Sequence, residues 1–211
     1  MYQPKHFEES RIEVLRRLIA IHPLGTLVVQ TAKGLDANHL PFLHDPEPPP
    51  LGTLRAHVAR ANPVWQDYAK EADVLAVFQG PSAYVTPAWY PTKKETGKVV
   101  PTYNYMVVHA YGRMRAVDDA EWLRRFVSRL TDTFEKKISS DWNITDAPAE
   151  FIDAQLRAIV GIEIPVARMS GKWKLSQNRL PADRAGVVRA LAQSEGAEAR
   201  ATGQIMKERE P

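Results

Sequence analysis

Three short stretches of this sequence carry groups suited to holding a ligand. Asn38-His39-Leu40-Pro41 sets an amide and an imidazole on an extended run. His57-Val58-Ala59-Arg60-Ala61-Asn62-Pro63 is an extended run that passes into a helix start, with Asn at the N-cap and Pro at the first helical position. Free backbone N–H groups at such a start, with the Arg60 guanidinium beside them, make a phosphate cradle. The competing reading of Arg60 is a solvated surface charge, the ordinary state of an arginine. Lys172-Trp173-Lys174, followed by Gln177 and Asn178, offers two cations and two amides around an indole. In an extended segment the two lysines project to one side; the alternative is an exposed basic loop.

A fourth group is aromatic. Trp89, Tyr90, Tyr103 and Tyr105 surround a charged tip, Lys93-Lys94-Glu95-Thr96-Gly97-Lys98. Flat rings, amides and hydroxyls beside a basic loop suit a planar, anionic ligand. The same rings would equally serve to cover the end of a β-barrel.

Several chemistries are excluded. With no cysteine there is no disulfide, thiolate metal site, iron–sulfur cluster or cysteine nucleophile. The sequence has no G-x-G-x-x-G, no phosphate-binding G-x-x-x-x-G-K-[ST], no H-E-x-x-H and no G-x-S-x-G. His39 and His44 match no strand or helix period as a metal pair, so no metal site and no catalytic residue is assigned. Glu8-Glu9 and Asp118-Asp119 read as helix-start charges. The net charge of +3 and pI near 9.1 permit nucleic acid or an anionic cofactor and demand neither. No apolar run is long enough to span a membrane and the first residues lack an apolar signal core, which points to a cytoplasmic protein.

The elements that must position these groups follow from periodicity. A helix is expected from Ser10 to about Ile21, then a hairpin of Leu24 to Thr31 and Leu35 to Leu43. Gly52 to Ala59 is a third strand, with Leu54, Ala56 and Val58 on one face. A short helix runs from Asn62 to about Ala69. Val74 to Phe78 reads as a strand stopped by Gly80-Pro81, Ser82 to Thr86 as a second piece, and Tyr105 to Val117 as another strand. Asp118 or Asp119 caps a helix to about Lys136, with a stripe of Trp122, Phe126, Leu130 and Phe134. Pro148 to Arg157 is a helix and Ile159 to Val166 a last strand. Met169 to Arg179 shows little periodicity, Pro181 to Gln193 is a final helix, and Glu195 to Pro211 is expected to fray. Many short strands with helices at the flanks and no βαβ alternation predict a mainly β, antiparallel barrel. The expected division is a domain over 1–180 and a C-terminal helix with tail over 181–211.

The pieces MYQPKHF, ANHLPF, GTLRAHVARANPVW, VFQGPSAYVTPAWYPTKKETGKVVPTYNY, VHAYGRM and IPVARMSGKWKLSQNR occur in this order. Together they resemble the PaiB family of FMN-binding split-barrel proteins, described as negative transcriptional regulators. Tyr103 stands where many relatives carry tryptophan. The resemblance implies a six-stranded split β-barrel, paired as a homodimer, with FMN at the subunit interface. It implies that Asn38, His39 and Leu40 line the flavin ring. His57, Val58, Ala59, Arg60 and Asn62 would run from ring to phosphate, and Tyr105 would lie in the site. Lys172, Lys174 and Gln177 would close it from the other subunit.

Two functions fit. The first is an FMN-binding homodimer acting as a regulator. No convincing helix-turn-helix is visible, and Pro181 to Gln193 with Arg184 and Arg189 is the best DNA-facing candidate. The second is an FMN-dependent oxidoreductase or flavin reductase on the same barrel, with the loop from Trp89 to Lys98 as a lid. Haem in place of FMN would need an axial histidine from His39, His57 or His109, and nothing selects one.

Overall fold

The computed structural model describes residues 1–209. Its strands are β1 (Glu8–Glu9), β2 (Leu24–Thr31), β3 (Gly34–Pro41), β4 (Leu43–Asp45), β5 (Thr53–Ala59), β6 (Val74–Val85), β7 (Thr102–Gly112), β8 (Arg115–Val117) and β9 (Ile159–Lys174). The helices are α1 (Ile12–Ile21), α2 (Lys93–Thr96), α3 (Ala120–Lys137), α4 (Ala149–Arg157), α5 (Pro181–Ala192) and α6 (Ala197–Glu208). The sheet runs β3-β2-β6-β7-β9-β5-β4, with β1 and β8 each paired to β9. The pairings of β2 with β3 and β6, of β4 with β5, and of β9 with β1, β5 and β8 are all antiparallel. Mainly antiparallel β with flanking helices is therefore the fold, as the periodicity predicts, with nine strands where the resemblance implied six. Among the described residues no helix is long and apolar enough to cross a membrane.

By contact density the chain forms two compact units, one of residues 1–18, 78–109 and 170–211, the other of residues 19–77 and 110–169. The strands β6, β7 and β9 each pass from one unit into the other.

In the unit of residues 19–77 and 110–169, alternation does the sorting. Leu54, Ala56 and Val58 on β5 are buried, as are Val160, Ile162 and Ile164 on β9 and Leu27 and Val29 on β2. Each such valine, leucine or isoleucine contributes about 2 kcal/mol when removed from water. Gly161 sits on β9 directly under the Trp122 ring, and any Cβ there would strike it. Trp122 stacks on Phe126 at 5.1 Å. Phe126 and Leu130 cluster with Leu43, while Leu123 packs with Ile152 and Leu156 of α4. Asp119 caps α3, its Oδ1 accepting from Trp122 N at 2.6 Å.

In the other unit, α6 is an ordered helix where fraying was expected. Met206 and Thr202 are fully buried, and Gly203 lies against Leu191 of α5. Glycine permits that close approach; the sequence stretch looked loose because its small residues are contact residues. Glu9, 5% exposed, accepts from Arg11 and pairs with Arg209 at 2.8 Å. These partners more than offset burial, which alone would raise the acid, and hold its pKa at about 2.

Three further expectations change. The helix from Asn62 to Ala69 is only a single 3-10 turn, Pro63–Trp65. Ala69 N donates to Gln30 O at 2.8 Å and Tyr68 bridges Thr31, so the end of β2 captures the chain before a second turn forms. Gly80-Pro81 does not break β6: Gly80 fits against Leu18 and Met106, so the glycine answers a packing demand rather than a turn. The basic stretch from Met169 is strand as far as Lys174, because β1 pairs with it, Glu8 opposite Lys172 and Glu9 opposite Gly171.

Candidate functional site

The sequence-expected residues fall into two sets. Asn38, His39, Leu40, His57, Val58, Ala59, Arg60 and Asn62 belong to the unit of residues 19–77 and 110–169. Tyr105, Lys172, Lys174 and Gln177 belong to the other.

In the first set, the two asparagines meet. Asn62 Nδ2 donates to Asn38 Oδ1 at 2.7 Å, and Asn62 Oδ1 accepts from Val64 N at 2.9 Å. This ties the outer strand β3 to the turn that follows β5. His39 is exposed, Leu40 and Val58 are buried, and Ala59 is exposed at the end of β5. His57 shares a face of β5 with Arg55 and meets Phe126 edge-on at 6.0 Å. Burial lowers its pKa, so the ring is neutral at pH 7, and Nδ1 is buried without a hydrogen-bond partner. Arg60 is fully engaged. Nε donates to Arg157 O at 2.8 Å, Nη1 and Nη2 to the two Asp118 oxygens, and Nη2 also to Ile159 O at 3.2 Å. With one 3-10 turn after it, the helix-dipole part of the expected cradle is absent; what remains is the guanidinium and the turn backbone.

The second set is a cation cluster built on aromatic rings. Lys172, 8% exposed, lies 5.6 Å from the Tyr105 ring centre and 5.7 Å from that of Tyr2, and donates to Tyr2 O at 3.1 Å. Lys174 lies 6.0 Å from Tyr105 and donates to Thr102 Oγ1 and Tyr103 O. Burial, then the neighbouring charges of Lys172 and Arg179, lower the pKa of Lys174. Tyr103 and Tyr84, both more than half or half exposed, form an edge-to-face pair at 5.6 Å. Gln177 turns back on its own segment, accepting from Leu175 N at 2.7 Å and donating to Trp173 O. It thereby fixes the turn at Ser176, whose φ is 62°. Asn104 locks that turn from below, donating to Ser176 Oγ at 3.0 Å.

The cluster of Lys172 and Lys174 suits an anionic, aromatic group, since mutually repelling cations beside flat rings gain from an anion. Arg179, at the end of the aperiodic stretch, has its charge felt at Lys174 because the chain turns at Ser176. Arg55, Arg115 and Glu163 were missed because their pairing depends on strand register: Arg55 and Arg115 both stand opposite Glu163. Among the described residues no group of three His, Asp or Glu side chains forms a metal site.

Known proteins agree with this chemistry. The profile of a family described as "Putative FMN-binding domain" matches residues 1–168. An uncharacterized protein of Emericella nidulans is 34% identical over 223 residues, covering 89% of each chain. The "Protease synthase and sporulation protein PAI 2" of Bacillus subtilis is 29% identical, covering 99% of this chain and 98% of that one. Among solved structures, an FAD and heme binding protein from Mycobacterium smegmatis has a TM-score of 0.59 at 15% identity, over 79% of this chain and 73% of that one. A flavocytochrome from Azotobacter vinelandii has a TM-score of 0.58 at 12% identity, over 79% and 69%. At these identities the structures establish the fold. The sequence matches establish descent: this chain belongs to the FMN-binding family that includes the Bacillus PAI 2 protein, and its cofactor is a flavin.

Proposed function

We propose that this protein is a cytoplasmic, FMN-binding homodimer that acts as a negative transcriptional regulator. The observation that carries the flavin half is the cluster of buried Lys172 and half-buried Lys174 over Tyr105, cations that repel one another until an anion joins them. In the bound state the flavin supplies reversible electron transfer. The chain's own residues bind and orient it. The Asn38–Asn62 bond holds β3 to the turn after β5, so that the backbone at Asn38, His39 and Leu40 and at His57, Val58 and Ala59 lines the ring. Arg60 reaches the phosphate by exchanging one Asp118 oxygen for a phosphate oxygen. Lys172, Lys174 and Gln177 of the partner subunit close the site. Exposed Leu35 (76%) on the outer strand β3 supports the pairing of two copies. Similarity along nearly the whole chain to a protein named for protease synthesis and sporulation supports the regulatory half.

A second reading, an FMN-dependent oxidoreductase or flavin reductase, is favoured by the α5–α6 pair. Its exposed side chains mix signs, Glu198 and Glu208 with Arg200 and Lys207, and give no basic face for a DNA groove. The test is the visible spectrum of the purified protein followed by titration with FMN. Flavin bands with one FMN per chain support the proposal, whereas a Soret band or failure to take up FMN overturns it. Selection from sheared genomic DNA against steady-state NADPH oxidation then separates regulator from reductase.

A further inference from the structure

A cavity of about 360 Å³ lies between β5 and α3, lined by Arg55, Trp122, Arg125, Phe126 and Arg129. None of these residues is among those assigned to the flavin. The wall is built by two periodicities. Trp122 and Phe126 are four apart on α3, as are Arg125 and Arg129, so rings and guanidinia form adjacent stripes.

The charges around it do not cancel. Glu163, 3% exposed, accepts from Arg55 Nε at 2.7 Å, from Arg115 Nε at 2.8 Å and from Trp122 Nε1 at 3.3 Å. Asp45 accepts from Arg55 and from Arg129 Nη1 at 3.0 Å. Three guanidinia, Arg55, Arg115 and Arg129, thus share two carboxylates, Glu163 and Asp45. Arg125 adds a fourth cation, paired with Glu121 one turn away, and both of these are well exposed (63% and 82%), so that pairing is weak. The cavity carries excess positive charge beside an apolar wall.

We propose that this cavity is a second ligand site, for a small organic carboxylate with a planar apolar body. Guanidinia of Arg125 and Arg129 match a carboxylate in plane and in charge. Trp122 and Phe126 take the apolar body, and the volume falls within the range of small-molecule pockets, about 300–1,000 Å³. The site does not depend on the flavin reading, since none of its residues is offered to FMN.

Isothermal titration of the full-chain protein with benzoate, benzamide and inorganic phosphate tests it. Benzoate should give saturable heat at one site per chain, benzamide none, and phosphate at least roughly tenfold weaker binding, because it lacks a body to place against the rings. Arg125→Gln and Arg129→Gln should each weaken benzoate about tenfold, the loss of a charge-assisted hydrogen bond. Arg113→Gln, which removes an exposed arginine paired with Glu71, should leave it unchanged. If Arg129→Gln fails to fold, as its thermal melt would show, Arg125→Gln alone decides. Equal binding of benzamide, equal binding of phosphate, no saturable benzoate heat, or full benzoate affinity in Arg125→Gln would each overturn the proposal.

Discussion

Arg60 and Asp118 form a two-pronged ion pair, Nη1 to Oδ2 at 2.8 Å and Nη2 to Oδ1 at 2.5 Å. The hydrogen bond from Arg60 lowers the pKa of Asp118, and the same bond raises that of Arg60. A phosphate that recruits Arg60 must therefore compete with a ready-made carboxylate. Arg60→Ala should weaken FMN binding more than riboflavin binding, since riboflavin lacks the phosphate. Asp118→Asn should do the reverse and tighten FMN selectively. Fluorescence titration of both flavins checks the pair, and equal changes for FMN and riboflavin would move Arg60 away from the phosphate.

Glu163 holds three elements by one carboxylate, and it does so only when ionised. Burial alone would raise its pKa, but the hydrogen bonds from Arg55 and Arg115 reverse this and lower it. A lowered folded-state pKa means that the stabilisation is complete above the ordinary carboxylate value and is lost as pH falls below it. Glu163→Gln should cost about 2 kcal/mol at pH 7, since it takes the carboxylate from Arg115 and leaves Arg55 with Asp45 as its remaining acid partner. Urea denaturation should show the gap between wild type and variant narrowing as pH is lowered through the acid range.

Gly161 has no room for a methyl group. Gly161→Ala should destabilise the protein by about 2 kcal/mol, because the Trp122 ring is held between this strand and Phe126 and cannot retreat freely. Thermal melting measures the loss. Trp122→Leu in the same background should recover part of it, as a smaller side chain vacates the space.

Arg209 reports on α6. It pairs with Glu9 at 2.8 Å and lies 5.1 Å from the Trp173 ring centre, directly beside Lys172 and Lys174 in sequence. Arg209→Ala should raise the Glu9 pKa from about 2 towards 4.5, leaving Arg11 as its remaining partner. Titration of the Glu9 carboxyl by NMR reads this directly. Stability contributed by Glu9 is complete above pH 4.5 and lost towards pH 2, so the variant should also unfold at higher pH than wild type on acidification.

Much of the architecture was legible in the sequence because alternation and capping are local signals. β2 matches its expected bounds, α4 and α5 lie within a residue of theirs, and Asp119 caps α3. The failures share a cause, which is that a distant partner overrode the local signal. Gly80-Pro81 reads as a stop until Leu18 and Met106 are placed against it. The helix after Pro63 is cut short by Gln30 O. The stretch through Lys172 looks irregular until Glu8 and Glu9 pair with it. At the candidate site the residue types were visible, but not what they touch: the Asn38–Asn62 bond, the Asp118 partner of Arg60 and the self-bonded Gln177 all depend on tertiary placement.

Tyr2 and Arg209 reach the same dipeptide, one bonded to Lys172 and the other lying over Trp173. Successive residues of a strand point to opposite faces, so these two contacts clasp β9 from both sides. The segment that carries the two lysines is thus pinned on each face by a residue remote from it in sequence. Loosening either clasp would loosen the placement of both cations, although neither clasp touches Lys174.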